Sequence, residues 1–500
     1  MAYSVLTEPV IPVLWPDGTS STVGIREAFL RAHEIRDIQG ETPLERYALL
    51  RLLIAFAMDM LHPRTSYDRR DLLDEGCFDQ AVFDQYIALC EQDGPRFDLF
   101  DPDHPFMQSK YDEELDTKAE KPVASIVHSL PSGNNHVFID HRPADVHELS
   151  PARAFHTVLA SYLFCVSGTA GPSSINNTPP VYAIMVENSL FETIILNMLS
   201  EKEASPLPYG CGTVSWRKGR MVLPKEKVAD VSLLEGLTWM PRRITLLPEE
   251  NGFVRRVCCQ AGLDFKGNDL WNDPHVPKFK KKDETFGTVK PELSRSLWRD
   301  AGTLMYDHDS KTVRQPQALR CLANIFDQDE IPLQIIIRAV GLITNQAAYT
   351  GWTEEELSIP SSLLTRQEQA ERFRVDVSYL ETMQTQIAVN VQKYVDRARN
   401  GSVGKEHEIA TQCQQYFLHR AHDLLFGLAM DEICGNVPEK EHVEHFCEAV
   451  KGLLRETISQ VLRASGSDAK AMMQQMEAEK WIWISWAKQT EERMKGYAGS

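Results

Sequence analysis

Two adjacent amides, Asn345 and Gln346, stand between Thr344 and Ala347 at the end of an isoleucine-rich run. Each presents a donor and an acceptor on one planar head, the chemistry used on the edges of nucleic-acid bases. Ser167-Gly168-Thr169-Ala170-Gly171 follows an apolar segment. Its glycines would let a backbone approach a phosphate or a groove floor with unobstructed N–H donors, or would simply end a helix. Lys278-Phe279-Lys280-Lys281-Lys282 is the densest basic run. Aromatic and basic residues interleaved in this way suit a nucleic-acid backbone, and equally an exposed hairpin tip.

Other groups could hold a metal. Asp101-Pro102-Asp103-His104 puts two carboxylates and an imidazole in four residues, a donor set for a hard or borderline cation or a loop stiffened by proline. Cys258-Cys259 lacks the second cysteine pair that a structural zinc site needs. His419 and the His422-Asp423 doublet, with His442 and His445 in the next segment, leave open a metal-dependent HD-type phosphohydrolase or nuclease on the C-terminal helices. There is no phosphate-binding Walker loop, no G-x-S-x-G, no H-E-x-x-H and no dinucleotide fingerprint. No catalytic residue, metal ligand or cofactor is assigned from these patterns.

Acidic residues outnumber basic ones 71 to 53 in 500, a formal charge of −18. On the total alone a nucleic-acid partner would be doubtful, but local potential governs phosphate binding. Residues 1–125 hold 12 Lys+Arg against 24 Asp+Glu, whereas residues 205–300 hold 17 against 12. The middle of the chain is basic within an acidic whole. Ten cysteines without scaffold spacing suit a reducing cytoplasm. The N-terminus lacks the pattern of a signal peptide, and no apolar run reaches the length of a membrane span. A cytoplasmic protein with no membrane partner is expected.

These residues must be positioned by a recognisable set of elements. Val10 to Trp15 reads as a strand entering a hairpin at Pro16-Asp17-Gly18, and Thr42 to Leu61 as a helix closed by Pro63. Apolar helices are expected over Phe155–Val166 and about 187–199, with a strand- and loop-rich region over 205–300. Residues 314–345 read as a return to helix. From Leu364 onward four amphipathic segments, roughly 366–399, 404–434, 438–465 and 467–495, are separated by short breaks. The expected fold class is α+β: a mixed α/β domain over residues 1–363 followed by a four-helix bundle over 364–500.

Ordered blocks along the whole chain carry a resemblance. They include Leu6-Thr7-Glu8-Pro9-Val10-Ile11-Pro12-Val13, His104-Pro105-Phe106-Met107-Gln108-Ser109-Lys110 and Asn135-His136-Val137-Phe138-Ile139-Asp140. Pro180-Val181 leads into Leu196-Asn197-Met198-Leu199, followed by Leu270-Trp271-Asn272-Asp273-Pro274-His275, Asn345-Gln346-Ala347 and His407-Glu408-Ile409-Ala410. Together they resemble the large-subunit (CasA) family of the type I-E CRISPR surveillance complex, Cascade, an antiviral defence system. The resemblance implies a DNA-binding, RNA-guided role: recognition of the protospacer-adjacent motif (PAM) in double-stranded target DNA from the minor groove. By position, Gln346 matches the family's wedge and Asn345 a minor-groove contact. Gly168, Thr169, Ala170 and Gly171 occupy the place of its glycine loop, here shorter and less glycine-rich. Lys266 lies near its basic groove reader. Phe138, with Ile139 and Asp140, matches a loop tied to motif sensing and to the 5′ end of the CRISPR guide RNA. Lys278, Lys280, Lys281 and Lys282 form the expected basic patch. The implied partners are target DNA, guide RNA, the other Cascade subunits and a helicase-nuclease recruited after target binding.

Overall fold

A computed structural model describes residues 2–130, 147–166, 174–176, 178–205, 209–218, 222–266, 271–292, 297–307, 312–326, 332–345, 348–397 and 407–495. The chain divides into two compact units. One comprises Met1–Leu297 and Ser310–Ile359, the other Trp298–Asp309 and Pro360–Ser500.

In the first unit the strand Ile11–Leu14 pairs antiparallel with Ser20–Val23 and with Asp37–Ile38. Its hairpin turns at Gly18, where φ is +85° and a side chain would be strained. Asp17 Oδ1 accepts from Thr19 N and Oγ1 at 2.9 and 2.7 Å, which locks the turn. The helix Pro43–Leu61 starts on Thr42, whose Oγ1 accepts from Glu45 N, with Pro43 in the first turn. It ends at His62 in the left-handed region, directly before Pro63. Almost every residue from Leu44 to Met60 is buried, Glu45, Arg51 and Asp59 included, so the helix is enclosed on all sides rather than along one stripe. The helices Pro151–Leu163 and Leu190–Asn197 pack against it.

The strand Tyr182–Val186 pairs antiparallel with Gln334–Asn345, Ile336 opposite Val186 and Val340 opposite Tyr182. Gln334–Asn345 in turn pairs with Ala348–Pro360. The expected helix over 314–345 is therefore wrong: only Gln317–Arg320 and Leu322–Asn324 are helical turns among its described residues. The reason lies in the β-branched run Ile335, Ile336, Ile337, Val340, Ile343. Such residues are stiff at χ1 and fit a pleated surface, and from Ile337 to Ile343 the strand is buried on both faces and shows no alternation. A third sheet joins Glu120–Pro122, Val254–Ala261 and Arg242–Pro248. A fourth joins Phe286–Thr288, Lys278–Lys280 and Val313–Arg314.

Three buried ion pairs tie remote segments of this unit together. Arg51 Nη2 lies 2.9 Å from Asp273 Oδ2, Arg69 Nη1 2.8 Å from Glu203 Oε2, and Arg243 Nη2 2.6 Å from Asp116 Oδ2. Each guanidinium also donates to main-chain carbonyls, so no donor fork is left idle in the low-dielectric interior.

In the second unit the helices are Gln367–Val391, Glu408–Leu424, Glu439–Thr457 and Ala469–Lys495. Gln367–Val391 packs on Glu408–Leu424 and on Ala469–Lys495; Glu439–Thr457 does the same. Asp396 caps Glu408–Leu424 by accepting from Ile409 N and Ala410 N. The segment Trp298–Asp309 joins this unit although the chain then returns to the first. Arg299 Nη2 lies 2.7 Å from Glu381 Oε2, and Arg374 Nη1 donates to Tyr306 O at 2.8 Å. Nothing in its composition announced this, because membership of a unit is a matter of contacts.

Candidate nucleic-acid interface

Asn345 is the last residue of its strand and is exposed. The chain re-enters a strand at Ala348, so a two-residue connection, Gln346-Ala347, separates the partners. Gln346 itself lies outside the described residues. The body of the hairpin is anchored by charge. Arg338 is the one charged residue between Gln334 and Asn345, and only 6% of its side chain is exposed. It lies 2.7 Å from Asp37 Oδ2 and 2.8 Å from Glu356 Oε1. Arg46 pairs with Glu354 on the outer strand. At Gly341 a Cβ would come within 2.7 Å of the Pro291 ring, so only glycine permits this packing. The hairpin tip is thus carried on a fixed stem.

The residues that flank two other nominated segments are described. Phe164, Cys165 and Val166 follow the helix Pro151–Leu163 and lead into Gly168, Thr169, Ala170 and Gly171, which lie outside the described residues. Cys165 O accepts from Ser174 N at 3.3 Å, and Val166 O accepts from Arg242 Nη2 at 3.0 Å. Both ends of that segment are therefore held. Phe138, Ile139 and Asp140 also lie outside the described residues. Leu130 and His147, described on either side of them, line one cavity with Arg153 and Glu41.

His128 connects these parts. Its ring centroid is 4.9 Å from that of Tyr349, on the outer strand, and 6.3 Å from that of Phe164. It also hydrogen-bonds the Phe164 main chain. Burial pushes its imidazole down to about 4, so the ring is neutral near pH 7. Sequence reading missed His128, Tyr349 and Arg338, and counted Arg242 only as part of the positive charge of the middle third, whereas it is buried on the Val166 carbonyl. Only Arg338 left a signal, a lone charge in an apolar run, which must be paired if the run is buried.

The basic residues are less uniform than their sequence suggests. Lys278 does not belong to an exposed patch: it is buried, with Nζ donating to Trp271 O at 3.1 Å and Asn272 Oδ1 at 3.2 Å. Phe279 and Lys280, next along the same strand, are exposed, so the basic run is split by these interior carbonyl partners and not by the two-residue period of the strand. Lys280, Lys281 and Lys282 are exposed on the turn between Lys278–Lys280 and Phe286–Thr288. Asp283 and Glu284 share that turn, and Glu284 pairs with Lys280. Lys266 is exposed and lies 2.9 Å from Asp264 Oδ2.

The metal candidates find ordinary partners. Asp101 Oδ1 accepts from Asp103 N and His104 N, and Asp103 pairs with Lys110. Cys258 and Cys259 sit on a strand, and burial pushes the Cys258 thiol up to about 11. His422 stacks on Phe426 at 4.8 Å, whereas His442 lies between Asp376 and Glu432, 2.8 Å from each. No group of three or more His, Cys, Asp or Glu side chains is arranged to hold a metal among the described residues. His422 and His442 make different contacts, whereas His442 and His445 share Glu432.

Several blocks that carry the resemblance are architectural. Phe106 packs against Phe97, Phe155 and Trp216, and the Gln108 amide bridges Leu99 O and Leu246 N at 2.8 Å each. Asn197 brackets Met185 with both its amide atoms. Asp273 and His275 lie in the interior beside Arg51 and Tyr47.

The model of the family described as CRISPR-associated protein Cse1 matches residues 5–476. The CRISPR-associated protein CasA/Cse1 of Thermus thermophilus is 26% identical over 481 residues, covering 94% of each chain. The crystal structure of Thermus thermophilus CasA superposes with a TM-score of 0.79 at 21% identity, covering 98% of this chain and 100% of that one. Thermobifida fusca Cse1 gives 0.75 at 19% identity, covering 98% of each. A chain of a CRISPR RNA-guided surveillance complex gives 0.78 at 18% identity, covering 96% of this chain and 99% of that one. By the extent of the family match and the agreement of fold, the chain belongs to the CRISPR-associated Cse1 family.

Proposed function

We propose that the chain is the non-catalytic large subunit of a type I-E CRISPR effector, Cascade, and that it reads the PAM in double-stranded DNA through the minor groove. In this reading Gln346 is a wedge that parts the first base pair, and Asn345 contacts the groove beside it. Gly168 to Gly171 approach the groove floor, with Lys266 and the exposed lysines Lys280, Lys281 and Lys282 on phosphates. Phe138, Ile139 and Asp140 sense the motif and the 5′ end of the guide RNA. The helicase-nuclease that cuts the target is recruited separately, and the protein works in the cytoplasm beside the other Cascade subunits.

The observation that supports this reading is the meeting of His128, Phe164 and Tyr349, in a member of the Cse1 family. These residues stand beside the entries to the three segments to which the reading assigns DNA and RNA contacts. The minor groove offers a degenerate pattern, so amides, backbone N–H groups and a lysine suffice to read a short motif loosely. A side chain inserted at the motif edge offsets part of the unstacking cost, a few kcal/mol per step, before guide pairing begins. Fine discrimination is then left to the guide RNA, and no active site is required of this chain.

The test is Gln346→Ala in the assembled complex. It is expected to weaken binding of a duplex target while sparing an unpaired target strand. Equal loss on both substrates would remove the wedge role.

A further inference from the structure

We propose that the second unit contains a proton-dependent latch: His442, bridging Asp376 and Glu432 through both ring nitrogens, fastens its helix to two others only while the ring carries two protons, so that the packing of Glu439–Thr457 loosens as pH rises. The latch is independent of the DNA-reading role.

Nδ1 of His442 lies 2.8 Å from Glu432 Oε2, and Nε2 lies 2.8 Å from Asp376 Oδ2. Both are hydrogen-bond distances. A neutral imidazole has one N–H, and an ionised carboxylate only accepts. Between two carboxylates, a neutral ring would set a lone pair against a carboxylate oxygen at one of the two contacts. The doubly protonated ring donates at both. Each carboxylate also accepts through its other oxygen. Asp376 Oδ1 pairs with Arg493, and Glu432 Oε1 lies 2.8 Å from His445 Nδ1. Nε and Nη1 of Arg493 are buried without an acceptor among the described residues, so Asp376 is the anion on which that guanidinium depends. The result is a row of alternating charge: Arg493, Asp376, His442, Glu432, His445. It is contributed by Ala469–Lys495, Gln367–Val391, Glu439–Thr457 and the short helix Met430–Cys434. The side chains of His442 and Asp376 are 1% and 0% exposed, so solvent screens their contact little.

The other ionisable groups around His442 have partners of their own. On Gln367–Val391, Arg372 donates to Val437 O and Tyr379 meets Thr490. On Met430–Cys434, Cys434 is turned to Ser362. Leu425–Ala429 carries no ionisable side chain, and Tyr416 and Arg420 of Glu408–Leu424 meet Glu456, near the far end of the His442 helix. On that helix, burial raises the Cys447 thiol. The Glu432 hydrogen bond, helped by the charges of Glu432, Glu441 and Glu444, raises His445 above the ordinary histidine value.

The sign follows from proton counting. Above about pH 6.5 an unfolded histidine has lost the proton that the latch retains. The folded state then binds more protons than the unfolded state, so stability falls as pH rises. This is the reverse of the first unit, where burial pushes His156 and His275 down to about 4.

Hydrogen exchange, corrected for the intrinsic pH dependence of amide exchange, is measured on the full chain between about pH 6.5 and 8.5. Protection of Glu439–Thr457 is expected to fall by up to about tenfold per pH unit. Glu432→Gln supplies an amide that accepts from one histidine and donates to a bare ring nitrogen, so it suits a neutral His442. Its protection is expected to be flat with pH. A flat wild-type profile, or a Glu432→Gln profile as steep as that of the wild type, would overturn the latch. Nitrogen-15 NMR of the histidine-labelled full chain at about pH 7 reads the ring itself, and decides the matter if Glu432→Gln does not fold. Two proton-bearing nitrogens on His442, assigned by their absence from His442→Gln, are expected; one bare nitrogen would overturn the latch.

Discussion

Arg338 Nη2 lies 2.7 Å from Asp37 Oδ2, joining the central strand of the hairpin sheet to a short strand 301 residues earlier in the chain. The pair is part of a larger set: Arg338 also reaches Glu356, and Arg46 reaches Asp37 at 3.8 Å and pairs with Glu354. Through it the acidic N-terminal part helps to orient the hairpin whose tip carries Asn345 and Gln346.

Arg338→Met is expected to destabilise the first unit by about 2–3 kcal/mol, since the largely buried Asp37 carboxylate loses its short partner and keeps only Arg46 at 3.8 Å. Glu356→Gln, at an exposed end of the same set, should stay within about 1 kcal/mol. Urea unfolding of the full chain, followed by tryptophan fluorescence, checks both. Equal costs would mean that the set does not act through burial.

The Arg51–Asp273 pair is more deeply enclosed, with side chains 1% and 0% exposed. Burial by itself would raise the Asp273 carboxyl, but the ion pair and hydrogen bonds from Arg51 outweigh it and hold the group below its ordinary value. Arg51→Met is expected to cost about 3–5 kcal/mol, leaving an uncompensated charge. Soluble yield and thermal unfolding measure it; a loss under about 1 kcal/mol would contradict the buried-pair account.

Buried histidines should make the first unit acid-sensitive. Burial pushes His156 and His275 down to about 4 each, as it does His128. In the unfolded chain each takes up a proton near pH 6.5, whereas the folded chain does so only near 4. The unfolded state therefore binds more protons in that window, and stability falls as pH drops from about 6.5 towards 4. Each histidine contributes up to about 1.4 kcal/mol per pH unit. The double substitution His156→Gln, His275→Gln should make the profile shallower between about pH 6.5 and 4.5. A profile of unchanged slope would refute the assignment.

The lysines should separate by burial. In the assembled complex, Lys281→Ala and Lys282→Ala are each expected to weaken duplex binding and to reduce the salt slope of log affinity by about 0.9. Lys278→Met should leave that slope alone and instead lower stability by about 1–3 kcal/mol, because Trp271 O and Asn272 Oδ1 lose their donor. A salt titration of the three variants distinguishes the two behaviours.

Much of the fold was legible where local rules suffice. The hairpin at Pro16-Asp17-Gly18 and the Thr42-capped helix ending before Pro63 both follow from turn chemistry, capping and proline placement. The helical C-terminal region followed from amphipathic periodicity. The isoleucine run was misread because over 337–343 the strand is buried on both faces, and periodicity cannot tell such a strand from a buried helix. In the candidate interface, the amides, glycines and lysines were visible by type, and ordered blocks carried the family resemblance.

What the sequence determined by itself was the inventory: two differently patterned parts, a basic middle in an acidic chain, and amides, glycines and lysines able to meet a nucleic acid. Only the tertiary structure decided which of these stand together and which face outward. It turned Lys278 inward, paired Arg338 with Asp37, brought His442 and His445 onto the one carboxylate of Glu432, and put His128 against Phe164 and Tyr349. The physical reason is range. Propensities, caps and turns act over a few residues, and composition reports a total. An ion pair or a ring clamp depends on segments far apart in the chain being brought within a few ångströms, and that is set by how the whole core packs.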